Sequence, residues 1–381
     1  MKSVYFDSAA TTRLRDEVID SITKVMKDCY GNASSTHSYG RQAKSLVEAA
    51  RKRIASHFNV SAAEIVFTSG GTEADNLVLR STVRDLGVTQ IISSKIEHHA
   101  ILHTIEQLKQ EFNVTVNYVR LLPNGHVDLE DLERLLQSPN KTLVSLMHIN
   151  NEIGNMLDLE RVANLCKKYD ALFQSDTVQS VGHFKLDMQK IPVDFIAASA
   201  HKFHGPKGVG FAFLRKGSGL KASIFGGSQE RGLRAGTECV HNIVGMDEAL
   251  QISYENLEAE KAEILNLKNH FKERLKQALP EVQFNGTCDN NDESTYTLLN
   301  VRLPFPPEKN ALLQFQLDLK GIACSKGSAC QSGSAQGSHV LAEILDQEDL
   351  KKPSVRFSFS SFNTKADVDY VVSVLKEFAE S

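Results

Sequence analysis

The chain has 381 residues, 41% hydrophobic and 24% charged, enough for a sizeable core and, at about 100–200 residues per domain, for two domains. A net charge of −4 and a pI near 6.4 argue against a nucleic-acid surface, and no apolar run reaches membrane-spanning length. The opening residues, MKSVYFDSAATT, lack a signal peptide's apolar stretch, so a cytoplasmic location is expected.

Taken in chain order, short β-branched runs alternate with amphipathic stretches. Strands are predicted at residues 64–67, 89–93, 113–120, 142–147, 171–175, 194–198 and 208–213, with helices such as 130–137 and 159–168 between them. This alternation predicts an α/β fold, a mostly parallel sheet flanked by helices. One long charged helix over 255–279 then reads as a connector. Beyond it, strands at 295–302 and 355–359, a helix near Leu313 and a last helix predict a smaller α+β domain. The expected division is a large domain over 13–255 and a small domain of 1–12 with 256–381. The small domain carries a glycine- and serine-rich loop at about 324–338.

Four short segments carry candidate chemistry. S69-G-G-T-E-A-D-N76 follows a strand and opens a helix, a place where free N–H groups and the helix dipole favour phosphate. A plain turn capped by Thr72 is the alternative. Asp176 ends an apolar strand, where it faces a ligand cation or caps a helix. In E97-H-H-A-I-L-H103, His99 and His103 share a helix face, but no HExxH arrangement supports a metal, and a stacking role for one histidine is the alternative. Lys202 follows the apolar run D194-F-I-A-A-S-A200; partial desolvation there favours the neutral amine that a Schiff-base lysine needs. Together Lys202, Asp176, Gly71 with Thr72, and His98 supply the lysine, carboxylate, phosphate cradle and stacking partner of a pyridoxal phosphate site.

The six cysteines are too scattered for a disulfide framework. Four read mostly as small core residues; Cys324, in the glycine- and serine-rich loop, reads as a buried or incidental thiol, with a second sulfur relay as the alternative. Cys330 differs: in C324-S-K-G-S-A-C-Q-S-G-S-A-Q-G-S338 it reads as an exposed thiol on a mobile loop.

With these residues in view the chain resembles the cysteine desulfurases, the NifS/IscS-like group of the class-V aminotransferase family. The resemblance rests on Y5-F-D-S-A-A-T-T12, G31-N-A-S-S-T-H37, F67-T-S-G-G-T-E-A-D-N76, M147-H-I-N-N-E-I-G154, D176-T-V-Q179, S199-A-H-K202, R231-G-L-R-A-G-T-E238, G327-S-A-C330 and S354-V-R-F-S358. It implies a fold-type I pyridoxal phosphate enzyme and a homodimer. By position, Lys202 would carry the cofactor, Asp176 would face the ring nitrogen and Gln179 the ring hydroxyl. His98 would stack on the ring and shuttle protons. Gly71, Thr72, Ser199 and His201 would hold the phosphate, and Thr237 would reach the neighbouring subunit's cofactor. Asn151 and Arg356 would hold the substrate, L-cysteine, and Cys330 would accept its sulfur as a persulfide. A sulfur-acceptor protein, commonly an Fe–S scaffold, is the implied partner; no metal is expected. A selenocysteine lyase or another class-V lyase or aminotransferase is the alternative.

Overall fold

The computed structural model describes residues 2–327 and 337–380. β1 (Val4–Tyr5) leads through an extended stretch to α1 (Asp16–Asp28) and α2 (Ser38–His57). Strands and helices then alternate: β2 (Ile65–Thr68), α3 (Gly71–Leu86), β3 (Gln90–Ser93), α4 (His99–Phe112), β4 (Thr115–Tyr118), α5 (Leu129–Leu136), β5 (Thr142–Ser145), α6 (Leu159–Lys168), β6 (Leu172–Asp176), β7 (Phe195–Ser199) and β8 (Gly210–Leu214). After α7 (Val240–Glu255) and α8 (Leu257–Ala278) come β9 (Gln283–Phe284), β10 (Leu298–Arg302), α9 (Asn310–Leu319) and β11 (Ile322–Ala323). Last come α10 (His339–Ile344), α11 (Gln347–Lys351), β12 (Ser354–Ser358) and α12 (Lys365–Glu380).

β2 to β8 form one seven-stranded sheet in the order β2-β8-β7-β6-β5-β3-β4. The pairs from β7 to β4 are parallel, and β8 alone runs against its two neighbours. Helices cover both faces. Phe211 and Phe213 of β8 join the core beneath α1, α2 and α7, while Ala212 and Leu214 join the layer of Ala74, Leu77 and Val78 from α3. Burial on both faces is why these strands read as unbroken apolar runs rather than alternating ones. The central part is therefore the expected α/β fold with a mostly parallel sheet.

One predicted element differs. The single helix over 255–279 is two helices, α7 and α8, parted at Asn256. The Asn256 side-chain amide donates to the Ile252 carbonyl (2.9 Å), satisfying an acceptor at the end of α7 and letting the chain turn. The two helices serve different cores: Val240, Ile243 and Met246 of α7 pack under the large sheet, and Ile264, Leu267 and Phe271 of α8 pack in a second core.

That second core lies against a three-stranded antiparallel sheet of order β12-β10-β9. Phe6, Phe271, Phe357 and Phe359 form its centre, with ring centroids 5.0–6.4 Å apart. Phe6 is fully buried there, which contributes roughly 2–3 kcal/mol. The first residues of the chain thus pack with its last third: β1 pairs in parallel with β11, and Asp7 bridges to Ser358 beside β12. No described helix is long and apolar enough to cross a membrane.

Candidate active site

The carboxyl ends of the parallel strands meet at one edge of the large sheet, where open α/β sheets place their ligand sites. A cavity of about 460 Å³ opens there, a fitting size for a small cofactor with an amino acid. The turn after β2 supplies Gly70, Gly71 and Thr72; the segment after β3 supplies His98; the loop after β5 supplies Asn151. β6 ends on Asp176, with Gln179 one turn on, and β7 ends on Ser199, followed by His201 and Lys202. Arg356 enters from β12, a strand of the smaller sheet.

The residues singled out in the sequence are placed as follows. Gly71, Thr72, His98, Asn151, Asp176, Gln179, Ser199, His201, Lys202 and Arg356 all line the cavity. Thr237 does not; it is exposed, on the segment after Gly236. Cys330 lies outside the described residues. Cys324 is partly buried, and burial pushes its thiol up to about 12, which keeps it protonated and unreactive at neutral pH. His99 and His103 stack with centroids 4.7 Å apart, and no cluster of three metal-ligating side chains occurs among the described residues.

The anion end is built from backbone. Gly70 sits at φ +153°, a conformation that side chains rarely adopt, and Gly71 begins α3. A Cβ on Gly71 would come within 2.6 Å of Val178 Cγ2, so glycine is what fits between the helix start and the segment after β6. His201 Nδ1 lies 3.2 Å from Thr11 Oγ1, and burial holds its imidazole near pKa 4, hence neutral.

His98 caps α4: its Nδ1 accepts from the Ala100 N–H at 3.1 Å, so the neutral ring carries its proton on Nε2. Burial, then the nearby Lys202 charge, lowers its pKa to about 4. Lys202 Nζ donates to the carbonyls of Ala9 (2.6 Å) and Ala10 (2.8 Å). Gln179 Nε2 donates to the same Ala9 carbonyl at 3.0 Å. Asp176 is buried and accepts from the Val178 N–H at 2.9 Å.

Three features of the site escaped the sequence reading. Asp75, from the buried stripe of α3, lines the cavity and accepts from Gln174 Nε2 at 2.9 Å. Glu97, wholly buried, accepts from Ser94 Oγ (2.7 Å) and the Met147 N–H (2.9 Å). Burial raises the pKa of all three acids, Glu97 to about 8, and the proximity of Asp176 adds to the rise at Asp75 and Glu97. Asp176 alone gains from the Lys202 charge, which favours its ionised form, so it is the carboxylate of the three. The third feature is Asp7, which accepts from Arg356 Nη2 at 2.8 Å. The signal available for Asp75 was an acid on an inward-facing helix position; Glu97 and Asp7 carried none beyond their motifs.

The residues present suit pyridoxal phosphate: a primary amine, a buried carboxylate, a neutral imidazole and a glycine turn at a helix start converge on one cavity. The class-V aminotransferase family profile matches residues 4–371. Over 384 residues the chain is 37% identical to "Cysteine desulfurase IscS" of Dictyoglomus turgidum, covering 100% of this chain and 95% of that protein. Among solved structures, a "NifS-like protein" superposes with a TM-score of 0.91 at 34% identity, covering both chains fully. A second, "SspA in complex with cysteine", gives 0.78 at 27% identity, covering 95% of this chain and 100% of that one. The chain belongs to the class-V aminotransferase family. That family is pyridoxal phosphate-dependent and has the fold-type I architecture seen here.

Proposed function

We infer that this chain is a cysteine desulfurase that converts L-cysteine to L-alanine and passes the sulfur, as a persulfide on Cys330, to an acceptor. The observation that carries the reading is the convergence of Lys202, Asp176, His98 and Arg356 on one cavity. Lys202 would hold pyridoxal phosphate, Asp176 its ring nitrogen and Gln179 its ring hydroxyl. Gly71, Thr72, Ser199 and His201 would hold its phosphate. Bound there, the cofactor supplies an electron sink that makes the α-proton of an amino acid labile. Lys202 Nζ, three residues past the end of β7, would be the base that takes that proton. Asp176, ionised, would stabilise a protonated ring nitrogen. His98, neutral with Nε2–H, presents a ring face and an exchangeable proton.

Arg356 and Asn151 would hold the substrate carboxylate. The Cys330 thiolate attacks the substrate sulfur: an S–S bond forms, the Cβ–S bond breaks, and its electron pair stays with carbon. Protonation of that carbon gives L-alanine. An ordinary thiol has a pKa near 8.5, so only a minority of Cys330 is thiolate at neutral pH unless its setting lowers it.

The reading extends to a homodimer in which Thr237 reaches the partner's phosphate. Exposed apolar side chains support it: Tyr30 is 75% and Phe225 80% exposed, and Gln229 Nε2 donates to Ser34 Oγ (3.3 Å), joining the two segments. We place the cofactor-holding residues in a large domain, 13–255, and Arg356 with Cys330 in a small one, 1–12 with 256–381. A cytoplasmic location and an Fe–S scaffold or other sulfur-acceptor protein complete the proposal.

The test is release of alanine and sulfide from L-cysteine by the holoenzyme with a thiol reductant present. Equal amounts of the two products are expected, and Cys330→Ser should keep the bound cofactor's absorbance while losing sulfide release. Undiminished release by Cys330→Ser would overturn the assignment of Cys330.

A further inference from the structure

The N-terminal residues contact two side chains that line the cavity, Lys202 and Arg356. Asp7 Oδ1 accepts from Arg356 Nη2 at 2.8 Å and from Ser325 Oγ at 2.9 Å. Arg356 and Ser325 are themselves backbone partners: the Arg356 N–H donates to the Ser325 carbonyl (2.7 Å), and the Ser325 N–H to that of Arg356 (3.3 Å). Asp7, Ser325 and Arg356 thus close a ring joining three distant stretches of chain. Two and three residues after Asp7, the carbonyls of Ala9 and Ala10 receive Lys202 Nζ. The backbone between them is fixed, since Ala9 N–H donates to Ser358 Oγ (2.8 Å) and Ser358 N–H to the Phe6 carbonyl (2.9 Å).

The guanidinium itself is only partly satisfied. Nη1 donates to the Asn151 carbonyl (2.8 Å) and Nη2 to Asp7, while Nε is buried and accepted by no described residue. Arg356 is 1% exposed yet lines the cavity. A buried donor without an acceptor is costly, so an arriving carboxylate gains by meeting this group, provided that the fork is held in one orientation.

We infer that residues 7–10 set the spacing between the amine and carboxylate ends of the substrate, with Asp7 as a positioning residue for Arg356 and Ser325 as its support. The inference rests on the reading of Arg356 as the carboxylate clamp. An amino acid offers its amine to the Lys202 side and its carboxylate to Arg356, and one short, hydrogen-bonded strip of chain holds both residues. A guanidinium released from Asp7 keeps only the Asn151 carbonyl and can pivot, so a carboxylate meets a fork in many orientations.

The experiment is an absorbance titration of the holoenzyme with L-alanine and with ethylamine, an amine without a carboxylate, in Asp7→Ala, Asp7→Asn, Ser325→Ala and Arg356→Lys variants. Asp7→Ala should weaken L-alanine binding about tenfold and leave ethylamine within about twofold, because only orientation of the fork is lost. Asp7→Asn, which keeps an acceptor oxygen, should lose about threefold, as should Ser325→Ala. With L-cysteine, KM should rise more than kcat falls in each. If Asp7→Ala does not fold, Asp7→Asn carries the same comparison. Unchanged preference for L-alanine in the Asp7 variants, with preference lost in Arg356→Lys, overturns the role of Asp7 and leaves the clamp. Unchanged preference in Arg356→Lys as well overturns the clamp. Tighter L-alanine binding in the Asp7 variants overturns the inference by showing that Asp7 competes with the substrate.

Discussion

Two buried arginines in this molecule have opposite settings. Arg51, on α2, is saturated: it forms a bidentate pair with Glu230 (2.6 and 2.8 Å) and also donates to the Ile65 carbonyl (2.9 Å) and to Glu48 (3.1 Å). Its guanidinium lies 4.3 Å from the Phe67 ring. Arg356 has a single carboxylate, one carbonyl and a nitrogen left over. The difference separates a latch from a site. Arg51 fastens residues 230 and 231, both at positive φ (48° and 57°), to the sheet, and nothing remains for a ligand. Arg356 is held at one edge and left short of an acceptor on another, which is what a carboxylate clamp requires.

The comparison breaks most visibly at Glu230. Glu230→Ala leaves Arg51 buried without its main counter-ion and should cost about 3–5 kcal/mol in denaturant unfolding. Arg356→Met, measured on the cofactor-free protein, should cost far less, about 1 kcal/mol, because it also removes an unsatisfied donor. Equal losses would show that both arginines are structural.

The next largest effect is a pH effect on the proton-handling side of the site. His98 has its pKa lowered to about 4 in the folded chain, against about 6.5 unfolded. Between those values the unfolded chain binds a proton that the folded chain refuses, so stability falls as pH drops through 6.5. The full penalty is present only below about 4. At pH 5 it amounts to about 2 kcal/mol. Relative to pH 7, wild-type apoprotein should therefore lose about that much more stability at pH 5 than His98→Gln does. An identical pH profile for the two would show that the imidazole protonates freely in place.

Gly71→Ala should follow. Its Cβ would sit 2.6 Å from Val178 Cγ2, so the turn must shift, at about 1–2 kcal/mol and with weaker phosphate retention measured by cofactor release on dialysis. The smallest effect sharpens the arginine comparison from the other side. Arg80 pairs with Glu111 at 2.8 Å, but both are over a third exposed, so Arg80→Gln should change the melting free energy by less than about 0.5 kcal/mol.

The large sheet was legible because its strands are buried on both faces: residues 194–198 and 208–213 predict β7 and β8 to within two residues. Lys202 and Asp176 were legible for the same reason, since a charged group directly after an apolar strand marks the sheet's carboxyl edge. The break at Asn256 was not, because the helical pattern of 255–279 runs through it and only the need to serve two cores parts the helices. Asp75 and Glu97 lay within quoted motifs, yet their burial beside Asp176 depends on strands β3 and β6 lying on either side of β5.

The sequence by itself determined the alternation of strands and helices, the glycine turn, the lysine and carboxylate at strand ends, and the family. These follow from local spacing and from which side chains tolerate burial. Only the tertiary structure decided which of three buried acids keeps its charge, which histidine nitrogen carries the proton, and that residues 7–10 bind Lys202 at one end and Arg356 at the other. The last of these depends on groups up to hundreds of residues apart being brought within 3 Å, and the first two on burial and on neighbouring groups that only the folded chain supplies.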